Sequence, residues 1–199
     1  MIRNNKITLS VDCMGGDNSI DDIIGGVKKF CSENINDTLL LHGDKKALSR
    51  ALNKYPEIKK MCKIKHCDKV IQMGDKPSQS IRGGKNSSMW NSIESVKSSK
   101  AEVAISCGNT GSLMAISTLL LRKLPEVKRP AIAIFWPSTS NQGFNVVLDA
   151  GADIKAQPSD LLAYSNFGSD IFSKVFNTRK VKVGLLNVGT ETHKGNEQL

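Results

Sequence analysis

The chain has 199 residues, 39% of them hydrophobic, and its 28 Lys and Arg outnumber 19 Asp and Glu, for a net charge of +9. Those figures describe an ordinary globular chain with enough apolar residues for a real core, and they exclude collagen-like and low-complexity classes. No apolar run reaches transmembrane length, and Met1 to Lys6 holds no apolar leader segment, so a single α/β domain over 1–199 in the cytoplasm is expected.

The elements follow in chain order. Ile7 to Asp12 reads as a strand. Ser19 can cap a helix with Asp21 and Asp22 in its first turn, and Ile20, Ile23, Ile24, Val27, Phe30 and Cys31 then recur at helical spacing. Thr38 to His42 is a short apolar strand; Asp44 to Leu52 is a helix that ends before Pro56. Met61 to His66 is a further strand, and Asp75 to Asn86, with its Pro, Ser and Gly residues, reads as loop. Ser87 to Ser98 is helical, and Glu102 to Ser106 is a strand. The helix from Gly111 to Leu124 is apolar on nearly all sides and should be buried. Ala131 to Trp136 and Asn145 to Asp149 are strands, Gln157 to Phe176 is an amphipathic helix, and Val181 to Asn187 is a last strand. Strands alternating with helices give an α/β fold with an open, mostly parallel sheet sandwiched by helices.

Three small-residue turns stand where a strand ends: Asp12-Cys13-Met14-Gly15-Gly16-Asp17, Ser106-Cys107-Gly108-Asn109-Thr110-Gly111 and Asn187-Val188-Gly189. Such turns aim backbone N–H groups and positive helix ends at one point, which suits phosphate. Asn109 and Thr110 can equally serve as helix caps. Carboxylates repel phosphate, so Asp12 and Asp17 are expected to fix the first loop or to orient a cation. Arg82, Lys85, Ser87 and Ser88 form a basic, hydroxyl-rich segment that suits phosphate, with a solvated loop and a serine as helix cap the other reading. Asp149 and Gly151 follow a strand end, where ligands gather in open sheets. Lys194, between His193 and Gly195-Asn196, can place a point charge on an anion, and Asn187 and Asn196 can donate amide hydrogen bonds to it.

The five cysteines, Cys13, Cys31, Cys62, Cys67 and Cys107, are scattered, and Cys62-His66-Cys67 lacks the spacing of a zinc site, so no metal is expected. Ser106 has no evident partner for a catalytic triad. The surplus of lysines clusters only mildly, between Lys54 and Lys69, and Tyr55 is the one ring there. Nucleic acid is therefore not expected as a partner, which leaves an anionic membrane, an acidic protein or a lysine-rich, evenly solvated surface open.

Six motifs in order, "VDCMGGD" at 11–17, "IRGGKNSSM" at 81–89, "ISCGNTGSLMA" at 105–115, "RPAIAIFWP" at 129–137, "VVLDAGAD" at 146–153 and "VGLLNVGTETHKGNEQL" at 183–199, closely resemble the bacterial phosphate acyltransferases of phospholipid synthesis, the PlsX family. Cys107 departs from the small residue usual there, Gly83-Gly84 from a more basic pair, and the family's chains continue past Leu199. The resemblance implies a fold like that of phosphate acetyltransferases and isocitrate dehydrogenases. It implies transfer of an acyl group from acyl carrier protein to inorganic phosphate, without a cofactor, by a homodimer that meets the membrane peripherally through a later segment. It adds weight to Lys194 as the catalytic cation, with Gly189 and Gly195 shaping its loop. Two alternatives stay open: an NAD-dependent oxidoreductase on a related fold, disfavoured because Gly15-Gly16 lacks the GxGxxG spacing and no acidic residue ends the second strand before His42, and an inactive dimerising fragment.

Overall fold

The computed structural model describes residues 6–124, 127, 130–149 and 156–186. They form two compact units, Met1–Arg122 and Lys123–Leu199, each taken here by itself.

In the first unit β1 (Thr8–Asp12), β2 (Thr38–Gly43), β3 (Cys62–His66) and β4 (Val103–Ser106) make one parallel sheet in the order β3-β2-β1-β4. Asp12 pairs in register with His42 on one side and with Ser106 on the other. Alternation along the strands splits the sheet into two faces. Leu9, Val11, Leu39 and Leu41 join Ile24, Val27 and Cys31 of α1 (Ile20–Glu33) and Leu48, Ala51 and Leu52 of α2 (Lys45–Asn53) in one core. Ile71, Met89, Trp90, Ile93, Ile116 and Leu120 form a second, which includes residues of α4 (Ser88–Lys97) and α5 (Thr110–Leu121).

The helix starts follow the capping chemistry of the sequence. Ser19 Oγ accepts from Asp22 N–H at 3.2 Å while Asp22 Oδ2 accepts from Ser19 N–H at 3.1 Å. Asp44 caps α2 through Ala47 N–H at 2.7 Å, and Ser87 caps α4 through Trp90 N–H at 3.2 Å.

Four expectations change. Asp75 to Asn86 is not all loop: Pro77–Gly83 is a helix, α3, with proline pre-set at its first position and Gln79 accepting from Lys76 N–H at 3.3 Å. Tertiary contact secures it, because Ser80 Oγ meets Ser112 Oγ of α5 at 2.8 Å in the interior. The α5 helix is not buried all round; Ser112, Ile116 and Leu120 make one buried stripe, whereas Leu119 and Leu121 stay exposed. In the second unit β5 (Ala133–Pro137) and β6 (Phe144–Leu148) form a separate antiparallel ribbon, since their connection is too short to hold a crossover. Residues 181–186 carry no strand; a strand pattern needs a neighbour to pair with, and Val183, Leu185 and Leu186 are exposed.

The second unit's helix, α6 (Pro158–Phe176), packs on β6. Phe176 stands edge-on to Phe135 at 6.4 Å and tilted to Phe172 at 4.6 Å. A Cβ on Gly168 would stand 2.8 Å from Leu148 Cδ1, so that glycine sets how closely helix and ribbon approach.

Candidate active site

The C-terminal ends of β1 and β4 lie side by side where the sheet's connections part. From β1 the chain passes through α1 to β2 on one side, and β4 returns to β1's other side. Ligands of open parallel sheets bind in the crevice at such a point. Met14 to Ser19 and Cys107 to Asn109 are the loops that flank it.

One carboxylate ties the two loops together. Asp12, only 1% exposed, accepts from Ser106 Oγ at 2.7 Å and from Met14 N–H at 3.2 Å. Ser106 Oγ in turn accepts from Gly108 N–H at 3.0 Å. Ser106 thus has a hydrogen-bond partner, which is a carboxylate and not the histidine of a triad. It stands 94 positions from Asp12 in sequence, and only the β1–β4 pairing brings the two together.

Glycine permits the approach. A Cβ on Gly15 would lie 2.6 Å from Asp12 Oδ2 and 3.1 Å from Gly108 Cα, and one on Gly108 would lie 2.8 Å from Met89 Cε. Gly16 has φ +99, and a Cβ there would reach within 2.4 Å of the Cys107 carbonyl oxygen. Two backbones therefore touch where side chains would hold them apart. The N–H groups of Gly15, Gly16, Thr110 and Gly111 have no acceptor among the described residues. Those of Thr110 and Gly111 open α5, whose positive end faces the crevice.

Asn109 acts twice. Its Oδ1 caps α5 through Ser112 N–H at 2.9 Å, and its Nδ2 donates to the carbonyls of Met73 at 2.6 Å and Asp75 at 3.0 Å. The cap was legible; the tether to the 72–75 segment was not.

The remaining candidates fall in several places. Asp17 is exposed on the first loop. Ser87 and Ser88 are buried under the first turn of α4, which reaches the site through Met89 against Gly108. Ser87 is the cap, and Ser88 N–H donates to the Lys69 carbonyl at 3.1 Å. Arg82 in the last turn of α3 and Lys85 after it are exposed. Asp149 follows β6 in the second unit, in left-handed conformation with φ 61, and its N–H donates to the Ile132 carbonyl at 2.9 Å. Gly151, Asn187, Gly189, His193, Lys194, Gly195 and Asn196 lie outside the described residues.

Sequence reading passed over His42. It is the next-to-last residue of β2, beside Asp12, is 3% exposed, and meets Ser95 Oγ of α4 at 3.3 Å through Nε2. Burial lowers its pKa to about 4; the nearby Asp12 charge opposes this and Lys65 adds to it. A polar residue closing the run Leu39-Leu40-Leu41 was the available signal.

Comparison with known proteins gives the family and the fold. The family described as "Fatty acid synthesis protein" matches residues 7–199. The chain belongs to that family. A phosphate acyltransferase of Cereibacter sphaeroides is 46% identical over 194 residues, covering 98% of this chain and 53% of its own length. One from Paracoccus denitrificans is 46% identical over 193 residues, covering 97% and 52%. The chain thus spans about half the length of the curated relatives it matches. A phosphotransacetylase from Streptococcus pyogenes superposes with TM-score 0.66 at 14% identity, over 89% of this chain and 56% of that one. One from Staphylococcus aureus gives 0.58 at 14%, over 86% and 54%. The fold of this fatty acid synthesis family member is therefore the α/β fold of phosphotransacetylases, in line with the mostly parallel sheet expected.

The dinucleotide alternative gains nothing from the site. β2 extends to Gly43, so an acidic residue, Asp44, does follow the second strand, but its carboxylate is engaged as the α2 cap.

Proposed function

We propose that the loops after β1 and β4 seat inorganic phosphate for attack on an acyl thioester, as part of a phosphate acyltransferase that converts acyl-[acyl carrier protein] and phosphate into acyl phosphate and free carrier protein in phospholipid synthesis. The observation that carries this reading is the contact of Gly15 with Gly108 at the switch point of the sheet, with unclaimed N–H groups on both loops. Membership of a family whose relatives are named phosphate acyltransferases supports it.

A phosphate oxygen forms a bond to the thioester carbonyl carbon, and the C–S bond breaks as the carrier leaves as thiolate and takes up a proton. Phosphate is itself the nucleophile, so the protein's task is to position a polyanion beside a carbonyl and to stabilise the oxyanion. Gly15, Gly16, Thr110 and Gly111 supply backbone donors, Gly108 lets the two loops approach with its own N–H spent on Ser106 Oγ, and Asp12 and Ser106 hold the loops and do not themselves bind phosphate. Lys194 is the cation that offsets the two negative centres, with Asn187 and Asn196 as amide donors. The working protein is a homodimer that meets the membrane peripherally.

The test is incubation of the purified protein with acyl carrier thioester and radiolabelled phosphate. Labelled acyl phosphate that hydroxylamine converts to hydroxamate is the expected product. Thioester loss that does not depend on phosphate would overturn the proposal.

A further inference from the structure

Residues 44–69 hold nine Lys and Arg against three acids, so this short segment carries +6 of the chain's +9. All nine cations are exposed. In sequence they look loosely spread; the fold gathers them around the β3 edge of the sheet. Lys45 and Lys46 open α2, which packs against β3. Lys59 and Lys60 lead into the strand, and Lys63 and Lys65 alternate along it with Cys62 and Ile64, which turn to the core. None of these six lysines is in an ion pair among the described residues; the pairs nearby are Lys54 with Asp21 at 2.6 Å and Lys28 with Glu57 at 4.0 Å.

This edge shares its end of the sheet with the candidate site. Lys65 pairs in register with His42, and His42 with Asp12, so two strand spacings, about 10 Å, separate the Lys65 and Asp12 backbones. The surface lacks what a nucleic acid or a bilayer would need. Tyr55 is half-buried with Lys28 over it at 4.8 Å, and the exposed His66 is held by Asp68 at 2.8 Å and by Lys45 N–H at 3.1 Å, which leaves no array of free rings to stack bases. No large exposed apolar side chain lies within residues 44–69 to anchor in lipid.

We propose that the lysine-rich β3 edge, with the start of α2, is the docking surface for the acidic acyl carrier protein, which presents its thioester to the crevice between the β1 and β4 loops. The assignment rests on the function proposed above, since it takes the carrier as acyl donor. Unpaired lysines on an exposed rim steer an acidic partner and set the salt dependence of its encounter.

The experiment titrates the intact chain and its K45E/K46E/K63E/K65E variant with holo-acyl carrier protein at low and high salt. The variant should bind at least about tenfold more weakly at low salt, lose most of its salt dependence, and keep the parent melting temperature. K97E/K100E, on exposed lysines at the far end of α4, should bind like the parent. If the quadruple variant melts early, K63Q/K65Q replaces it and should still weaken binding. Carrier binding equal to the parent's overturns the assignment, as does a parent chain that binds no carrier at low salt. Loss of binding to phosphatidylglycerol vesicles with carrier binding unchanged makes the edge a membrane surface and also overturns it. Phosphate-dependent consumption of carrier thioester by the parent, at a KM the variant shares, leaves the proposed function standing and removes only the surface; no consumption by the parent removes the function.

Discussion

Asp12 illustrates how a carboxylate can belong to the proposed anion site without touching the anion. It is buried and spends its oxygens on Ser106 Oγ–H and Met14 N–H, both of which it keeps in place. Asp12→Ala leaves those donors stranded, a loss of about 1–3 kcal/mol. Ser106→Ala breaks the same link, so the double variant should cost less than the two singles together, which a double-mutant cycle by denaturant melts would check. Gly16→Ala sets a side chain at φ +99 against the Cys107 carbonyl oxygen. It should cost about 2 kcal/mol and lower the melting temperature by roughly 4–8 °C. His42 makes stability depend on pH. Its folded pKa of about 4 lies below the ordinary 6.5, so the unfolded chain takes up a proton that the folded chain refuses. Stability is full above pH 6.5 and falls as pH drops toward 4, by an amount on the order of 3 kcal/mol. His42→Gln should flatten that slope in urea melts taken across the window. Asp22, lowered by its hydrogen bonds to Ser19, acts in the same direction at lower pH, so some acid sensitivity will remain.

Elements were legible wherever periodicity and capping chemistry agreed. Ser19 and Ser87 announced α1 and α4, and the apolar runs announced β1 and β2. α3 escaped because its two serines and terminal glycine form helix poorly alone; the Ser80–Ser112 contact that holds it spans 32 positions. The pattern at 181–186 misled because a strand is a property of a pair of segments, whereas sequence shows one. At the site, the glycine loops were readable from turn chemistry. The Asp12–Ser106 link, the buried His42 and the Asn109 tether were not, since each depends on which strands and loops become neighbours. Asn109 offers an element-scale test. Asn109→Asp retains the Oδ acceptor that caps α5 but loses the Nδ2 donor to Met73 and Asp75. It should leave helix content intact while amide exchange in residues 72–76 accelerates; equal exchange in both proteins would count against the tether.

At the scale of the whole molecule, a parallel sheet delivers two glycine loops and the positive end of α5 to one crevice, and its lysines to the neighbouring edge. The proposed reaction needs a cation beside the developing oxyanion, the role proposed for Lys194. Lys194→Met should lower turnover by about 10²–10³-fold, the worth of one preorganised donor at such a site. The melting temperature should move by no more than a few degrees; turnover measured beside a melting curve separates the two effects. The central claim is that phosphate sits between the β1 and β4 loops. It is tested most directly by titrating the isotope-labelled chain with inorganic phosphate and following its amide spectrum. Saturable shifts confined to residues 14–17 and 107–111 are expected. Shifts confined to the lysines of the β3 edge, or none at saturating phosphate, would contradict the claim.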